Sequence, residues 1–357
     1  MKPASAHFFL GANTPNGFYS IYDQLMTKDF ERRLIILKGG PGCGKSSFMR
    51  HVANALDEPT EYIHCSGDPD SLDAVIFPRL HTAIADGTAP HVIEPRYPGV
   101  LDAYINLGTC YDRDVLSPLT HEICSATDRC GAQYQRAYRI LSAAQHMADP
   151  IPLSALSSSA VSRMKKRVRA IAARELKKKP DAAAPGAVIK RLLGGLTYQG
   201  LVCRFDTVDA LCSRVYTCID PYGLAHASLR FFQETALDAG YDVISCPAPM
   251  EPEHIEHVLV PELSLAFITS TDSMPYEGKP IRKLRFDQLL ESEWVKSNRT
   301  RLRFHKKMTR MLTADAVAAF AEAKQIHDEL EKLYNPAVSF EAVYQTADQL
   351  AEQLKQK

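Results

Sequence analysis

Residues 34–47 read LIILKGGPGCGKSS, and no other stretch of the chain restricts its fold as tightly. The first four are apolar and partly β-branched, the pattern of a buried strand, and they run directly into glycines. Gly39, four residues, then Gly44, Lys45 and Ser46 complete a Walker A motif. The SFMRHVANAL that follows is helix-compatible, so the turn is expected to sit against a helix N-terminus with its favourable dipole. Each residue type answers a requirement of a phosphate chain. Gly39, Gly40, Gly42 and Gly44, with Pro41, Cys43, Ser46 and Ser47 completing the loop, allow a backbone tight enough to aim successive N–H groups at phosphate oxygens. Lys45 supplies a point charge to the β- and γ-phosphates, and the Ser46 hydroxyl can ligate Mg²⁺. The expectation is a site for ATP or GTP with Mg²⁺ at residues 39–47.

The chain also repeats itself. FLGANTPNGFYSIYD (9–23) aligns with LLGGLTYQGLVCRFD (192–206) at an offset of 183, with five of fifteen positions identical. ALDEPTEYIHC (55–65) aligns with ALDAGYDVISC (236–246), with five of eleven identical, and Val75, Pro78, Leu80 and Ala83 then meet Val258, Pro261, Leu263 and Ala266. Between these anchors the glycine-rich motif faces TCIDPYGLAHAS (217–228). Gly39 meets Asp220, Gly44 meets Ala225, Lys45 meets His226 and Ser46 meets Ala227. An acid in place of the first glycine repels phosphate, and neither the lysine nor the hydroxyl survives. A duplicated α/β scaffold with a degenerate second copy is expected.

A Walker A site needs a carboxylate near the metal's water shell, at the end of a neighbouring strand. HTAIADGTAPH (81–91) offers Asp86, whose counterpart is Thr269, so acid and lysine are lost together. HCSGDPDSLD (64–73) is the rival: Asp68, Asp70 or Asp73 could orient water or accept a proton, although DPDS is also turn chemistry. His64 and His91 fall near the same edge and read first as structural histidines. HIEH (254–257) resembles a metal pair but lacks a third ligand and reads as the start of a helix. Cys43 reads as a small residue in a tight turn, or as a thiol that makes nucleotide binding sensitive to oxidation.

Lys+Arg and Asp+Glu both number 42, so attraction to a polyanion must come from a local patch. One exists: residues 163–179 carry nine basic residues and a single acid, Glu175, around an apolar stripe of Met164, Val168, Ile171, Ala172 and Leu176. That basic amphipathic helix is either a solvated face or a dock for an anionic partner such as nucleic acid, acidic protein or a membrane surface. No run reaches the roughly 18–20 apolar residues of a membrane span. Nine cysteines without a CxxC pair argue against a disulfide framework and for a reducing cytoplasm. Helical periodicity around 133–149 and 314–334, with a further helix from Phe340, suggests a helical hairpin appended to each half. PIPLSALSSSA (150–160) and PDAAAPGA (180–187) read as loops. The expected domains are an active unit at 1–149, a linker with the basic helix at 150–187, and a degenerate unit at 188–357.

Taken together, GGPGCGKS, HCSGDPDSLD, DGTAPH and the early GA-TP-G pattern resemble a family of uncharacterised bacterial proteins described as P-loop ATPases or predicted nucleotide kinases. The resemblance covers nearly the whole chain. It implies a P-loop NTPase fold and ATP binding, and leaves hydrolysis and phosphoryl transfer both open. On the residues alone the catalytic candidates are Lys45, Asp86, Asp68 and Asp70, with Ser46 and Asp86 toward the metal.

Overall fold

The computed structural model describes residues 5–25, 32–89, 91–148, 150–180, 182 and 184–356. The first half runs β1 (Ala6–Phe9), β2 (Gly11–Thr14), β3 (Gly17–Ser20), β4 (Arg33–Lys38), α1 (Lys45–Leu56), β5 (Glu61–His64), β6 (Leu72–Phe77), β7 (Thr82–Asp86) and β8 (Asp102–Asn106). The helices α2 (Arg113–Leu116), α3 (Thr120–Met147) and α4 (Ser158–Glu175) follow. A six-stranded sheet takes the order β1-β5-β6-β7-β4-β8. Only β6 runs against its neighbours; the other pairings are parallel. Leu34, Ile35, Ile36 and Leu37 of β4 are buried, as are all six residues of β6, which is why β4 reads as an unbroken apolar run and β6 as one interrupted only by Asp73.

The second half repeats this plan. It comprises β9 (Val188–Lys190), β10 (Gly194–Thr197), β11 (Gly200–Cys203), α5 (Phe205–Leu211), β12 (Arg214–Ile219), α6 (His226–Asp238), β13 (Val243–Ala248), β14 (Glu251–Val260), β15 (Leu265–Ser270) and β16 (Arg282–Arg285). It ends in α7 (Ser292–Ser297), α8 (Arg299–Tyr334) and α9 (Phe340–Lys355). Its sheet order, β9-β13-β14-β15-β12-β16, matches the first strand for strand. The duplication extends to turn chemistry. Thr14 Oγ donates to Gly17 O at 2.7 Å and accepts from Asn16 N at 3.1 Å; Thr197 does the same with Gly200 O at 3.1 Å and Gln199 N at 3.0 Å. Gly17 and Gly200 sit at φ 100° and 99°, a left-handed turn position where a side chain would be strained.

The trailing helices are where the sequence misleads. They form, and residues 120–139 of α3 stay with the first half, but α9 and the linker helix α4 each pack with the other half's elements. In one compact unit, comprising Met1–Arg139, Leu196–Gly200 and Asp315–Lys357, α9 lays Val343, Ala347, Leu350, Ala351 and Leu354 onto Phe48, Met49, Val52 and Ala53 of α1. In the other, comprising Ile140–Gly195 and Leu201–Ala314, α4 lays Met164, Val168, Ile171, Ala172 and Leu176 into the core of α6, with Leu229, Phe232 and Ala236. The two seams are built alike. Ser339 N donates to Cys110 O and Asp112 N to Ala337 O; Ser157 N donates to Leu289 O and Glu291 N to Ala155 O. An apolar helix face declares that it will be buried, not against which of two similar partners.

Two further expectations change. HIEH lies in β14, not at a helix start, because residues 257–259 pair with both β13 and β15. His254 faces Glu251 and the His226 ring, whereas the buried His257 accepts from Thr269 N and meets Phe205, so the two are engaged with different partners. The segment 150–160 is not all loop: α4 begins at Ser158. Within PDAAAPGA, Asp181 and Ala183 lie outside the described residues. Among the described residues no helix is long and apolar enough to cross a membrane.

Candidate functional site

β4 delivers the glycine-rich loop and α1 takes it away. Gly42 and Gly44 hold φ of 66° and 83°, and Phe48 N reaches back to Gly44 O at 2.7 Å to start the helix. Cys43 is 1 % exposed and belongs to the core beneath the loop. A Cβ on Gly39 would stand 2.6 Å from its sulfur. The thiol thus fills the inside of the turn, as the small-residue reading requires. Gly40 lies against Tyr111 and Tyr334, and Gly42 against Asn335; with its amide nitrogen turned to the loop, Asn335 donates to Gly42 O at 3.1 Å. Pro41 is half-buried and Ser47 exposed.

Lys45 Nζ donates to Gly39 O and Gly40 O, both at 2.8 Å, and stands 3.5 Å from Asp86 Oδ2. The two side chains are 12 % and 15 % exposed. Asp86 arrives there because β7 is the parallel neighbour of β4, in a register that pairs Leu37 with Asp86. Its other oxygen accepts from Thr88 N at 2.8 Å and Thr88 Oγ at 2.5 Å. Ser46 Oγ accepts from Leu72 N at 3.0 Å, tying the loop to the start of β6.

Asp68 and Asp70 belong to the turn before β6. Asp68 accepts from Asp70 N at 3.2 Å and Ser71 Oγ at 2.9 Å, and lies 3.5 Å from Lys324 Nζ. Asp70 is exposed and accepts from Gln199 Nε2 at 3.1 Å. Asp73, the third acid of that segment, is different. It is 4 % exposed and its Oδ2 accepts from the Tyr22 hydroxyl at 2.7 Å and faces His91 Nε2 at 3.2 Å. Burial alone would raise the Asp73 carboxyl, yet His91, then Tyr22 and Cys65, hold it below its ordinary value. Burial alone would lower His91, yet Asp73, with Asp86 beyond it, holds the ring above its ordinary value. Burial, reinforced by Asp73, pushes the Tyr22 hydroxyl and the Cys65 thiol upward. The sequence names Asp73 and His91 separately and gives no reason to join them; their partner Tyr22 carries no motif at all. His64 is structural, with Nδ1 2.7 Å from Pro69 O and Nε2 2.9 Å from His7 Nδ1.

The second loop carries its own anion. Asp220, 4 % exposed, accepts from Leu224 N at 2.8 Å and Ala225 N at 2.6 Å. Those amides correspond to Cys43 and Gly44, which face no such carboxylate because Gly39 stands at the Asp220 position. Burial pushes the Asp220 carboxyl up, against the pull of the amides. Gly223 keeps the left-handed turn of Gly42, at φ 72°, whereas Ala225 has φ −79° where Gly44 has 83°. His226, at the lysine position, accepts from Ile255 N through Nδ1 at 2.8 Å. Loss of the first glycine therefore supplies an internal carboxylate to the loop, a stronger bar to phosphate than repulsion alone.

On α4 the stripe Met164, Val168, Ile171, Ala172 and Leu176 is buried, as the periodicity predicts. Arg163, Lys165, Lys166, Arg167 and Arg169 are exposed and form no ion pair among the described residues, while Arg174 meets Glu175 and Lys179 meets Glu262. Comparison with family models, curated proteins and solved structures returns no match.

Proposed function

We propose that the chain binds a magnesium nucleoside triphosphate, ATP before GTP, at residues 39–47, and hydrolyses it in a reducing cytoplasm. The observation that carries this reading is the meeting of Lys45 and Asp86 at the mouth of a glycine-rich loop between strand and helix. A cation and a carboxylate held together there are the two charges that a triphosphate and its metal separate: Lys45 leaves Gly39 O and Gly40 O for phosphate oxygens, and Asp86 turns to the metal's water shell. Ser46 would hold the Mg²⁺, releasing Leu72 N. The donor set is hard oxygen, as Mg²⁺ requires. The second half, its loop occupied by Asp220, serves as an inactive pseudo-repeat.

Asp68 and Asp70, offered for orienting water or for activating an acceptor hydroxyl, are engaged in the turn and with Lys324 and Gln199, so hydrolysis, which needs no acceptor site, is the simpler reading and a kinase the alternative. The unpaired cations of α4 favour one addition, a nucleotide-gated contact with an anionic partner such as nucleic acid. The deciding experiment is nucleotide turnover measured with and without a panel of acceptors and nucleic acids. Turnover that begins only when an acceptor is added would replace hydrolysis by a kinase; nucleotide-dependent retention of RNA or DNA, lost when Lys165, Lys166, Arg167 and Arg169 become glutamine, would support the α4 contact.

A further inference from the structure

Three chemically unlike donors of the first half converge beside the glycine-rich loop, none of them part of it. Cys65 follows β5, Asp73 lies in β6 and His91 follows β7, and each presents a ligand atom within 4.8 Å of the other two. Asp73 and His91 are buried, and Tyr22 stacks on the His91 ring at 4.6 Å while donating to Asp73. A thiol, an imidazole and a carboxylate suit a borderline-soft divalent ion, not Mg²⁺.

His91 turns Nε2 toward Asp73, and its buried Nδ1 has no hydrogen-bond partner among the described residues, so no second contact fixes which ring nitrogen carries the proton and Nε2 can serve as a ligand atom. The second half also supplies an internal control. Met274 N bonds Thr271 O at 3.2 Å as His91 N bonds Thr88 O at 2.9 Å, which fixes the equivalence. At the same positions the second half has Phe205 for Tyr22, Cys246 for Cys65, Glu256 for Asp73 and Met274 for His91. The hydroxyl and the imidazole are gone, together with the counterparts of Lys45 and Asp86, and the same sheet still forms. The cluster is therefore not needed to build the scaffold.

We infer that Cys65, Asp73 and His91 form a three-donor site for a zinc-class divalent cation, with a fourth position open to water or substrate. On binding, the Cys65 thiol proton leaves to solvent and the sulfur coordinates as thiolate, while His91 gives up the Nε2 proton it shares with Asp73 and coordinates as the neutral ring. Tyr22, donating to Asp73, is the outer partner that orients the carboxylate. Its donors are not the residues expected to hold Mg²⁺, Ser46 and Asp86, so it can be tested without nucleotide.

The test is titration of the reduced, chelator-stripped full chain with Co²⁺. The expected result is one Co²⁺ per chain, a thiolate-to-cobalt charge-transfer band, intense four-coordinate visible bands, and loss of both on adding Zn²⁺. Cys65→Ser should abolish the charge-transfer band. Tyr22→Phe, which copies Phe205 and keeps all three donors, should weaken Co²⁺ binding about tenfold. A thermal melt reports whether each variant folds. A folded wild type without these bands, or a folded Cys65→Ser that retains them, overturns the site. Should Cys65→Ser fail to fold, unchanged Co²⁺ affinity in Tyr22→Phe overturns it instead.

Discussion

Lys45 and Asp86 hold each other at 3.5 Å across the ends of two parallel strands, one side chain from the loop after β4 and the other from the last residue of β7. Removing either leaves its partner's charge less compensated in a largely buried setting, although Lys45 keeps Gly39 O and Gly40 O and Asp86 keeps Thr88. Lys45→Met and Asp86→Asn should each lower stability by about 1–3 kcal/mol. The double variant should lose less than the sum, with a coupling of about 1 kcal/mol. Urea unfolding of the four proteins measures this; strict additivity would mean that the pair contributes nothing.

The same two residues should separate binding from turnover. Lys45→Ala is expected to weaken Mg-ATP binding sharply in a folded protein, read by titration calorimetry beside a melt. Asp86→Asn should lower Mg²⁺-dependent turnover by roughly a hundredfold while changing affinity much less. If Asp68→Asn or Asp70→Asn abolishes turnover and Asp86→Asn does not, the metal role moves to the turn before β6.

Asp220 predicts a single nucleotide per chain. Its carboxylate occupies the amides of Leu224 and Ala225, so saturation binding should find one site, and none once Lys45 is replaced by alanine. Asp220→Ala should cost about 1–3 kcal/mol, because buried amides lose their acceptor. A stoichiometry of two in the wild type would contradict the pseudo-repeat.

His226 gives stability a pH dependence of known sign. Its Nδ1 accepts the Ile255 amide, and burial, then the neighbouring His254 ring and Arg230, lowers its affinity for a proton. His254 itself faces Glu251 at 2.8 Å. The folded value is depressed, so the contribution is complete above the ordinary histidine value of about 6.5. It is lost as pH falls from there through the folded value. Relative to His226→Asn, the wild type should therefore lose stability over that acid interval; a constant difference would rule the contact out.

Exchange of the trailing helices predicts that a substitution in α9 acts on α1. Leu354→Ala should destabilise by about 2–5 kcal/mol, and hydrogen exchange should rise in α1 rather than in α6. Faster exchange in α6 alone would show the pairing to be wrong.

What could be read in the sequence was what is local. The loop at 39–47 needs only its own residues and its two flanking elements, and Asp86 follows because β7 ends beside β4. The repeat revealed the second half because matching turns, such as those at Thr14 and Thr197, need matching residues. The Tyr22, Asp73 and His91 cluster stayed hidden because three separate segments contribute one residue each, with no spacing to betray them. HIEH misled because a short polar run reads as readily as a helix start as a strand. The partners of α4 and α9 could not be read, since both helix surfaces ask for the same thing.

The placement of α9 on α1 also fixes an order of maturation. Translation yields β4, the phosphate loop and α1 early, yet the side chains that cover Phe48, Met49 and Val52 emerge only after every strand of both sheets has been made. A nascent chain arrested before Phe340 would hold a fully encoded glycine-rich loop on a helix with its greasy side still wet, a target for chaperones and proteases. The first half's glycine-rich loop is thus backed by a finished core only when α9 has been made.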